Sequence, residues 1–235
     1  MLRRLFSLGL VPVALGGCVL LRSTDPIDRS SLPPFNQLVL DVAAEYPVDG
    51  THDYWWPTRG EGHYDGCSRD MQLGGVTVMS GEPRGRTYCC GFTLEIFLEA
   101  LNRWRREHPG AAPQLTPEEW PRFQRLWFVE NINGPGPSAA LEAYGIGGTI
   151  ASDELVAGDF VQLWRTETDT GKLSGHSVIF LGWVRDWRGE AAGMRYFSTQ
   201  PKTDGIGEAT ELFGGDGGLS RRFCHFGRVE IADRE

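Results

Sequence analysis

The chain has 235 residues, of which 40% are hydrophobic and eight are tryptophan, so it carries enough apolar surface for a packed core. Its formal net charge is −8 at neutral pH, which gives no support for nucleic-acid binding. The sequence contains no internal repeat or low-complexity tract, which excludes a repeat architecture.

The N-terminal segment has the pattern of a secretion signal. Two arginines precede an apolar run at residues 5–15, which is too short to span a bilayer. The Leu-Gly-Gly-Cys motif at 15–18 resembles a bacterial lipobox, which implies cleavage before Cys18 and a lipid on its thiol; an ordinary secretory signal or an uncleaved anchor is the alternative. Val19, which stands where an aspartate would favour retention in the inner membrane, implies the outer membrane, facing the periplasm.

Three segments are therefore expected. Residues 1–17 form the lipoprotein signal peptide, residues 18–35 the lipidated cysteine and a tether, and residues 36–235 a single folded domain. The polar, proline-bearing composition of residues 22–35 is typical of a tether.

The first predicted helix covers about residues 36–45. Residues 51–88 are irregular and rich in Gly, Tyr and Trp, with one short strand candidate at 75–79. An irregular stretch of this length inside a compact domain is typical of a functional loop. Four of its side chains are candidates for the lining of a cleft, although each of these residue types is by itself more often a core or solvated surface residue: Trp55, Trp56, Tyr64 and Arg69.

The helix after the cysteine pair is predicted to end near residues 106–110. A capping box, with Thr116 as N-cap and Glu119 as its partner, predicts the start of the next helix, and Pro121 predicts a kink or a short first turn there. A small helix is expected at 138–145.

Strand-like runs divided by turns follow these helices. They comprise residues 159–165, 176–184, 194–200 and 223–231. Because the helices come first and the strands second, the sequence predicts an α+β fold with an antiparallel sheet.

Cys89 and Cys90 stand directly before an apolar-periodic stretch, which predicts that they lie in the first turn of a helix. On a helical projection Cys89 lies nearer to the centre of the apolar stripe than Cys90, and Glu95 lies away from the stripe. The positive end of a helix stabilises a thiolate, and its free N–H groups stabilise an oxyanion. Gly91, without a side chain, lets neighbouring backbone and substrate approach closely.

Disulfide pairing is the alternative interpretation of the four cysteines that follow the lipobox, since an oxidising envelope permits it. Neighbouring cysteines rarely bond each other, so Cys89 and Cys90 would each pair elsewhere. A disulfide between Cys67 and Cys224 is a second possibility, and it would leave Cys90 as a thiol beside the active one.

His176 differs from the other four histidines because it opens the most apolar strand-like run of the chain. An imidazole on a rigid strand edge is well placed for a general base. A single histidine is more often a surface or core residue, so this assignment depends on its context.

That context resembles a known family. Tyr-Cys-Cys-Gly-Phe before a helix, the Gly-Asp strand at 154–164 and the His strand at 175–183 together resemble the NlpC-type, papain-like cysteine peptidases, over about residues 85–200. The resemblance implies a papain-like catalytic domain, within residues 36–235, in which the nucleophile-bearing helix packs on an antiparallel sheet.

The resemblance implies roles for individual residues. Cys89 takes the place of the nucleophile, Cys90 that of the family's serine and His176 that of the base. Gly158 and Asp159 take the place of a structural turn.

The family's third polar residue, which orients the histidine, comes from the following strand. Ser198 and Gln200 share one face of that strand, and Gln200 is assigned this role with Ser198 as the alternative. The chain has Tyr88 where the family usually has aspartate before its cysteine.

The expected activity is amide hydrolysis, in which Cys89 attacks the carbonyl and His176 moves the proton. Family resemblance and envelope location imply a peptidoglycan peptide as substrate and membrane attachment through Cys18. No cofactor, bound metal or nucleic-acid partner is expected.

Three other functions stay open. The protein could be a non-catalytic envelope lipoprotein that uses the fold as a binding scaffold with Cys89 oxidised, or a thiol-dependent acyl or lipid transferase. A zinc site is disfavoured because the close Cys-x-x-Cys spacing is missing. Its ligands would come from Cys67, Cys89, Cys90 or Cys224 with His63 or His225.

Overall fold

Four α-helices and eight strands are present in the part of the chain that this computed structural model describes, namely residues 27–57, 64–109, 115–166, 171–215 and 217–231. The helices are α1 (Pro34–Ala44), α2 (Cys89–Glu107), α3 (Trp120–Trp127) and α4 (Pro137–Ala143). The strands are β1 (Met71–Leu73), β2 (Val76–Met79), β3 (Gly147–Thr149), β4 (Phe160–Thr166), β5 (Leu173–Arg185), β6 (Ala191–Gln200), β7 (Gly205–Leu212) and β8 (His225–Val229).

Strands β3 to β8 form a six-stranded antiparallel sheet in the order β3-β8-β4-β5-β6-β7. Strand β5 lies inside this sheet, where His176 pairs with Leu163 of β4 and Ile179 with Phe197 of β6. Strands β1 and β2 form a separate antiparallel pair. The predicted α+β class with an antiparallel sheet is confirmed.

The two faces of the sheet bury different sets of side chains, because successive residues of a strand point to opposite sides. Ile179 and Leu181 of β5 belong to the main core, which the helices share. Val178 and Phe180 belong to a second cluster on the other face, together with Leu155 and other loop residues. Helix α2 packs against β5 and β6, so its first turn lies close to the start of β5.

The capping box predicted at Thr116 and Glu119 is present, but helix α3 starts after it. The Thr116 N–H donates to Glu119 Oε2 (2.8 Å) and the Glu119 N–H to Thr116 Oγ1 (3.4 Å). Helix α3 begins at Trp120, with Pro121 in its first turn, where the missing N–H costs no intrahelical bond. The residues between Thr116 and Glu119 therefore form a turn of their own before α3, and this turn is the short first turn that Pro121 predicts.

Glu95 was placed away from the apolar stripe by its spacing, and this prediction is wrong. Its side chain is completely buried. The carboxylate accepts hydrogen bonds from the Tyr46 hydroxyl (2.8 Å) and from the backbone N–H and hydroxyl of Ser68 (both 2.7 Å). Glu95 therefore ties the loop around Ser68 to the middle of α2.

The turn predicted at Gly158 and Asp159 is present before β4. Gly158 has a φ of +92°, and a Cβ there would lie 2.7 Å from the Asn36 carbonyl oxygen, so only glycine fits. Asp159 is completely buried and accepts hydrogen bonds from Asn36 and from Arg228.

Among the described residues no helix is both long and apolar enough to cross a membrane. The predicted signal peptide and Cys18 lie outside the described residues, and lipid attachment stays a prediction.

Candidate active site

Cys89 and Cys90 occupy the first turn of α2, as their position before the apolar stretch predicts. Tyr88 is the N-cap residue, and no side chain caps this end of the helix. The first backbone N–H groups of an α-helix have no acceptor within the helix. The turn that carries both thiols therefore presents free N–H donors and the positive end of the helix dipole.

Hydrogen bonds between buried side chains hold the start of α2 against the sheet. Thr93 Oγ1 lies 2.8 Å from Ser177 Oγ on β5, and Trp127 Nε1 of α3 donates to Thr93 Oγ1 (3.1 Å). Just before the helix, Thr87 Oγ1 donates to Thr199 Oγ1 of β6 (2.8 Å). These contacts fix the position of the cysteine turn relative to the strand that carries His176.

Cys89 and His176 lie side by side in the fold. The His176 imidazole, the Cys90 thiol and the Ser177 backbone N–H all lie close enough to the Cys89 sulfur to influence its ionisation. Both residues line the same cavity, and both are largely buried. The structure thus brings together the two residues to which the sequence assigns the nucleophile and the base.

The two neighbouring thiols have opposite electrostatic environments. The hydrogen bond from the Cys90 thiol and the positive charge of His176 hold the pKa of Cys89 well below its ordinary value, although burial opposes ionisation. Burial and the negative charge of Cys89 hold the pKa of Cys90 well above its ordinary value. Of the two thiols, the environment therefore favours ionisation of Cys89, with Cys90 as the hydrogen-bond donor.

Two glycines allow the loop before α2 to press against the cysteine turn. A Cβ on Gly91 would lie 2.2 Å from the Asp65 carbonyl oxygen and 2.5 Å from Gly66 Cα. Gly66 has a φ of +75°, and a Cβ there would lie 2.4 Å from the Tyr88 ring. The close backbone approach predicted at Gly91 is confirmed.

Gln200 and Ser198 lie on β6, the strand that also carries Tyr196. The Tyr196 ring is an aromatic neighbour of His176, with 5.7 Å between the ring centroids. Gln200 Oε1 accepts a hydrogen bond from the Tyr196 hydroxyl (3.1 Å), while Gln200 Nε2 and His176 Nε2 have no partner. Ser198 donates to the Ser177 carbonyl oxygen (2.7 Å). No hydrogen bond joins Gln200 to His176, and the orienting role assigned to Gln200 stays a prediction.

Two cavities meet at His176. One, of about 610 Å³, contains Cys89 and has both polar and apolar lining residues. Its polar lining includes Glu130, Asn131 and Gln162, and its apolar lining comprises Tyr54, Trp56, Phe128, Val129, Ile132 and Trp164. The other, of about 770 Å³, contains Gln200 and the charged side chains of Arg165, Lys202 and Glu211.

Of the four side chains predicted to line the cleft, the structure places only Trp56 in the Cys89 cavity. Trp55 stacks on Tyr64 (4.8 Å between ring centroids) and lies under Arg86. Arg69 contacts Tyr46, Glu95 and Glu99 instead. The predictions for Trp55, Tyr64 and Arg69 are therefore wrong.

The described cysteines Cys67, Cys89, Cys90 and Cys224 are all free thiols. Cys67 belongs to the main core and donates to the Ser80 carbonyl oxygen (3.3 Å), whereas Cys224 packs on the opposite face of the sheet. The suggested disulfide between Cys67 and Cys224 is therefore absent. Among the described residues no group of three or more His, Cys, Asp or Glu side chains could hold a metal ion; His63 lies outside them.

No family model, curated protein or solved structure matches this chain. The interpretation of the site therefore depends on the positions of its residues in this structure.

We expect Cys90→Ala to raise the pKa of the Cys89 thiol by about one unit, because a hydrogen bond to a charged group contributes about 1.5–3 kcal/mol and one pKa unit equals about 1.4 kcal/mol. Cys90→Ser keeps a donor at the same place and should leave the pKa almost unchanged. The measurement is the pH dependence of Cys89 carbamidomethylation by iodoacetamide, followed by peptide mass spectrometry. Equal midpoints in the alanine and serine variants would contradict this hydrogen-bonding role.

Proposed function

We propose that this protein is a cysteine hydrolase that cleaves amide bonds with a Cys89–His176 pair. The observation that carries the proposal is that Cys89, at the N-terminus of α2, and His176 line the same cavity, where the imidazole lowers the pKa of the Cys89 thiol. A thiolate, a proton donor and free N–H groups are the parts that acyl transfer through a thioester requires.

The reaction begins with attack of the Cys89 thiolate on the substrate carbonyl carbon. Backbone N–H groups of the first turn of α2 stabilise the oxyanion that forms. His176, as an imidazolium, gives its proton to the leaving nitrogen, so the C–N bond breaks and a thioester remains. Neutral His176 then takes a proton from water, hydroxide attacks the thioester, and the acid product leaves as the thiolate and imidazolium are restored.

The finer assignments belong to the same proposal. The fold is that of a papain-like, NlpC-type domain, since a helix with an N-terminal cysteine packs on an antiparallel sheet whose strand β5 carries the histidine. The substrate is an amide of the cell wall, a peptidoglycan peptide. The protein acts in the bacterial envelope, held by a lipid on Cys18 at the outer membrane and facing the periplasm.

Acyl transfer is a second candidate, which two exposed apolar side chains in the lining of the Cys89 cavity favour. Trp56 and Ile132 are 55% and 78% exposed beside the reactive thiol, and such side chains suit an apolar acyl group. In that reaction an amine or hydroxyl acceptor, instead of water, attacks the thioester on Cys89. Cys89 and His176 otherwise act as in hydrolysis.

The test is incubation of the purified protein with peptidoglycan-derived muropeptides and separation of the products by liquid chromatography and mass spectrometry. We expect a pair of products whose masses together equal the substrate plus one water, and loss of this activity when Cys89 is carbamidomethylated. Intact muropeptides despite a free Cys89 thiol would reject this substrate. A Cys89 thiol that is oxidised in the protein isolated without reductant would favour the non-catalytic scaffold.

A further inference from the structure

We propose that the cavity beyond His176 binds a carboxylate on the amine half of the substrate, about one residue from the scissile amide. This inference rests on the proposed hydrolase function and adds a substrate class to it: amides of amino acids or peptides whose leaving amine carries a nearby negative charge.

The first observation is the charge of this cavity. Arg165 and Lys202 line it together with one carboxylate, Glu211, so the described residues around it carry a net positive charge. Glu211 accepts two bonds from Arg165 (2.8 and 3.1 Å), one from Lys202 (2.9 Å) and one from the Tyr196 hydroxyl. Burial disfavours the ionised form of Glu211, but its three partners outweigh burial and hold its pKa below the ordinary value.

Glu211 therefore holds both cations in place without using all of their donors. Lys202 has three N–H groups and Arg165 has five, and a carboxylate accepts such donors best. The Lys202 side chain is 47% exposed, so an incoming ligand can reach it. Among the described residues of the lining, the positive charge that Glu211 leaves uncompensated favours an anion in this cavity.

The second observation is a pair of buried nitrogen atoms without partners. His176 and Gln200 both line this cavity, both are 6% exposed, and the Nε2 atom of each lacks a hydrogen-bond partner. A buried donor without a partner costs about 1–3 kcal/mol. Two such nitrogens beside two cations favour a ligand that supplies acceptor oxygens.

The third observation fixes which half of the substrate binds here. Cys89 lines one cavity only, whereas His176 lines both cavities. Because His176 must give its proton to the leaving nitrogen while that nitrogen is still bonded to the carbon that Cys89 attacks, the leaving nitrogen lies between Cys89 and the imidazole. The rest of the amine half then extends past His176 into the charged cavity, and the Cys89 cavity takes the acyl half.

The experiment compares two thiol-reactive probes that differ only in charge, bromoacetyl-glycine and bromoacetyl-glycinamide. Their rates of Cys89 alkylation are measured in the full-length protein at low salt, each divided by its rate with N-acetylcysteine. We expect the anionic probe to react about tenfold faster, as one charge-assisted hydrogen bond implies. Lys202→Gln should reduce this preference to about threefold or less, and added salt should weaken it in the wild type.

The matched control is Arg188→Gln, which removes the same charge from the exposed turn between β5 and β6 and should keep the preference. Equal rates for the two probes in the wild type, or the same loss in both variants, would overturn the carboxylate site. Alkylation requires only a reactive thiol, so a carboxylate preference without any amide hydrolysis would support the site and reject the hydrolase function. A Cys89 thiol that reacts with neither probe would reject both.

Discussion

Cys89→Ala is expected to lower amide hydrolysis by at least about 10⁴-fold, because removal of a catalytic nucleophile leaves only binding and oxyanion stabilisation. The adjacent Cys90 thiol is a poor replacement, since burial, which the substitution leaves in place, raises its pKa. The measurement is the single-turnover rate of muropeptide cleavage at saturating enzyme. Circular dichroism and thermal unfolding should show a native fold, because the side chain that is removed is small and belongs to the first residue of α2.

Cys90→Ala is the matched control. It removes the adjacent thiol from the same turn and should retain measurable hydrolysis near neutral pH, with its pH profile moved upward because the Cys89 thiolate loses a donor. An active Cys89→Ala protein with an inactive Cys90→Ala protein would mean that the wrong thiol was assigned. Loss of activity in both, with both proteins folded, would mean that the two thiols act as a unit.

The position of the candidate nucleophile, Cys89, at the start of α2 could be predicted from the sequence because its signals are local. A glycine after two cysteines and an apolar period of 3.6 residues predict where α2 begins and which of its faces is buried. His176 needed a second signal, its position at the start of a strongly apolar run far away in the chain, together with the resemblance of that run to a family motif. Neither pattern gives the distance between the two residues, which depends on contacts such as the one between Thr93 and Ser177.

Glu95 could not be placed from periodicity because that pattern counts only apolar side chains. Its burial depends on Tyr46 and Ser68, which lie 49 and 27 residues away in the sequence. A carboxylate is buried only where such partners replace its water, and no local pattern contains them.

The cleft wall was partly missed for a related reason. The backbone N–H of Trp55 donates to the Thr87 carbonyl oxygen, so the segment is extended there and its side chains alternate. Tyr54 and Trp56 therefore reach the cavity, while Trp55 points away from it. If the segment were paired one residue further along, Trp55 would face the cavity and its two neighbours would point away. The pairing with Thr87, which the sequence does not reveal, decides between these two arrangements. Phe128 and Trp164 come from other elements of the fold.

Asp159→Ala is expected to lower the free energy of unfolding by about 3–5 kcal/mol, the typical cost of removing one partner of a buried ion pair. The Asp159 carboxylate accepts two bonds from Arg228 (2.7 and 2.9 Å), one from Asn36 Nδ2 (2.8 Å) and one from the Val156 N–H (2.8 Å). The Arg228 side chain is only 15% exposed, so its charge would stay buried without a carboxylate, with the Glu154 carbonyl oxygen as its remaining acceptor. Urea denaturation followed by tryptophan fluorescence measures the change.

The control is Asp41→Ala, which breaks the ion pair between Arg29 and Asp41, whose side chains are 45% and 52% exposed. This variant should lose no more than about 1 kcal/mol, because water replaces a partner at the surface. Asp159 does not line the Cys89 cavity, so Asp159→Ala should hydrolyse muropeptides at a nearly normal rate per folded molecule. A stable Asp159→Ala protein without activity would instead place this carboxylate in the reaction, and the turn before β4 would then carry chemistry as well as the fold.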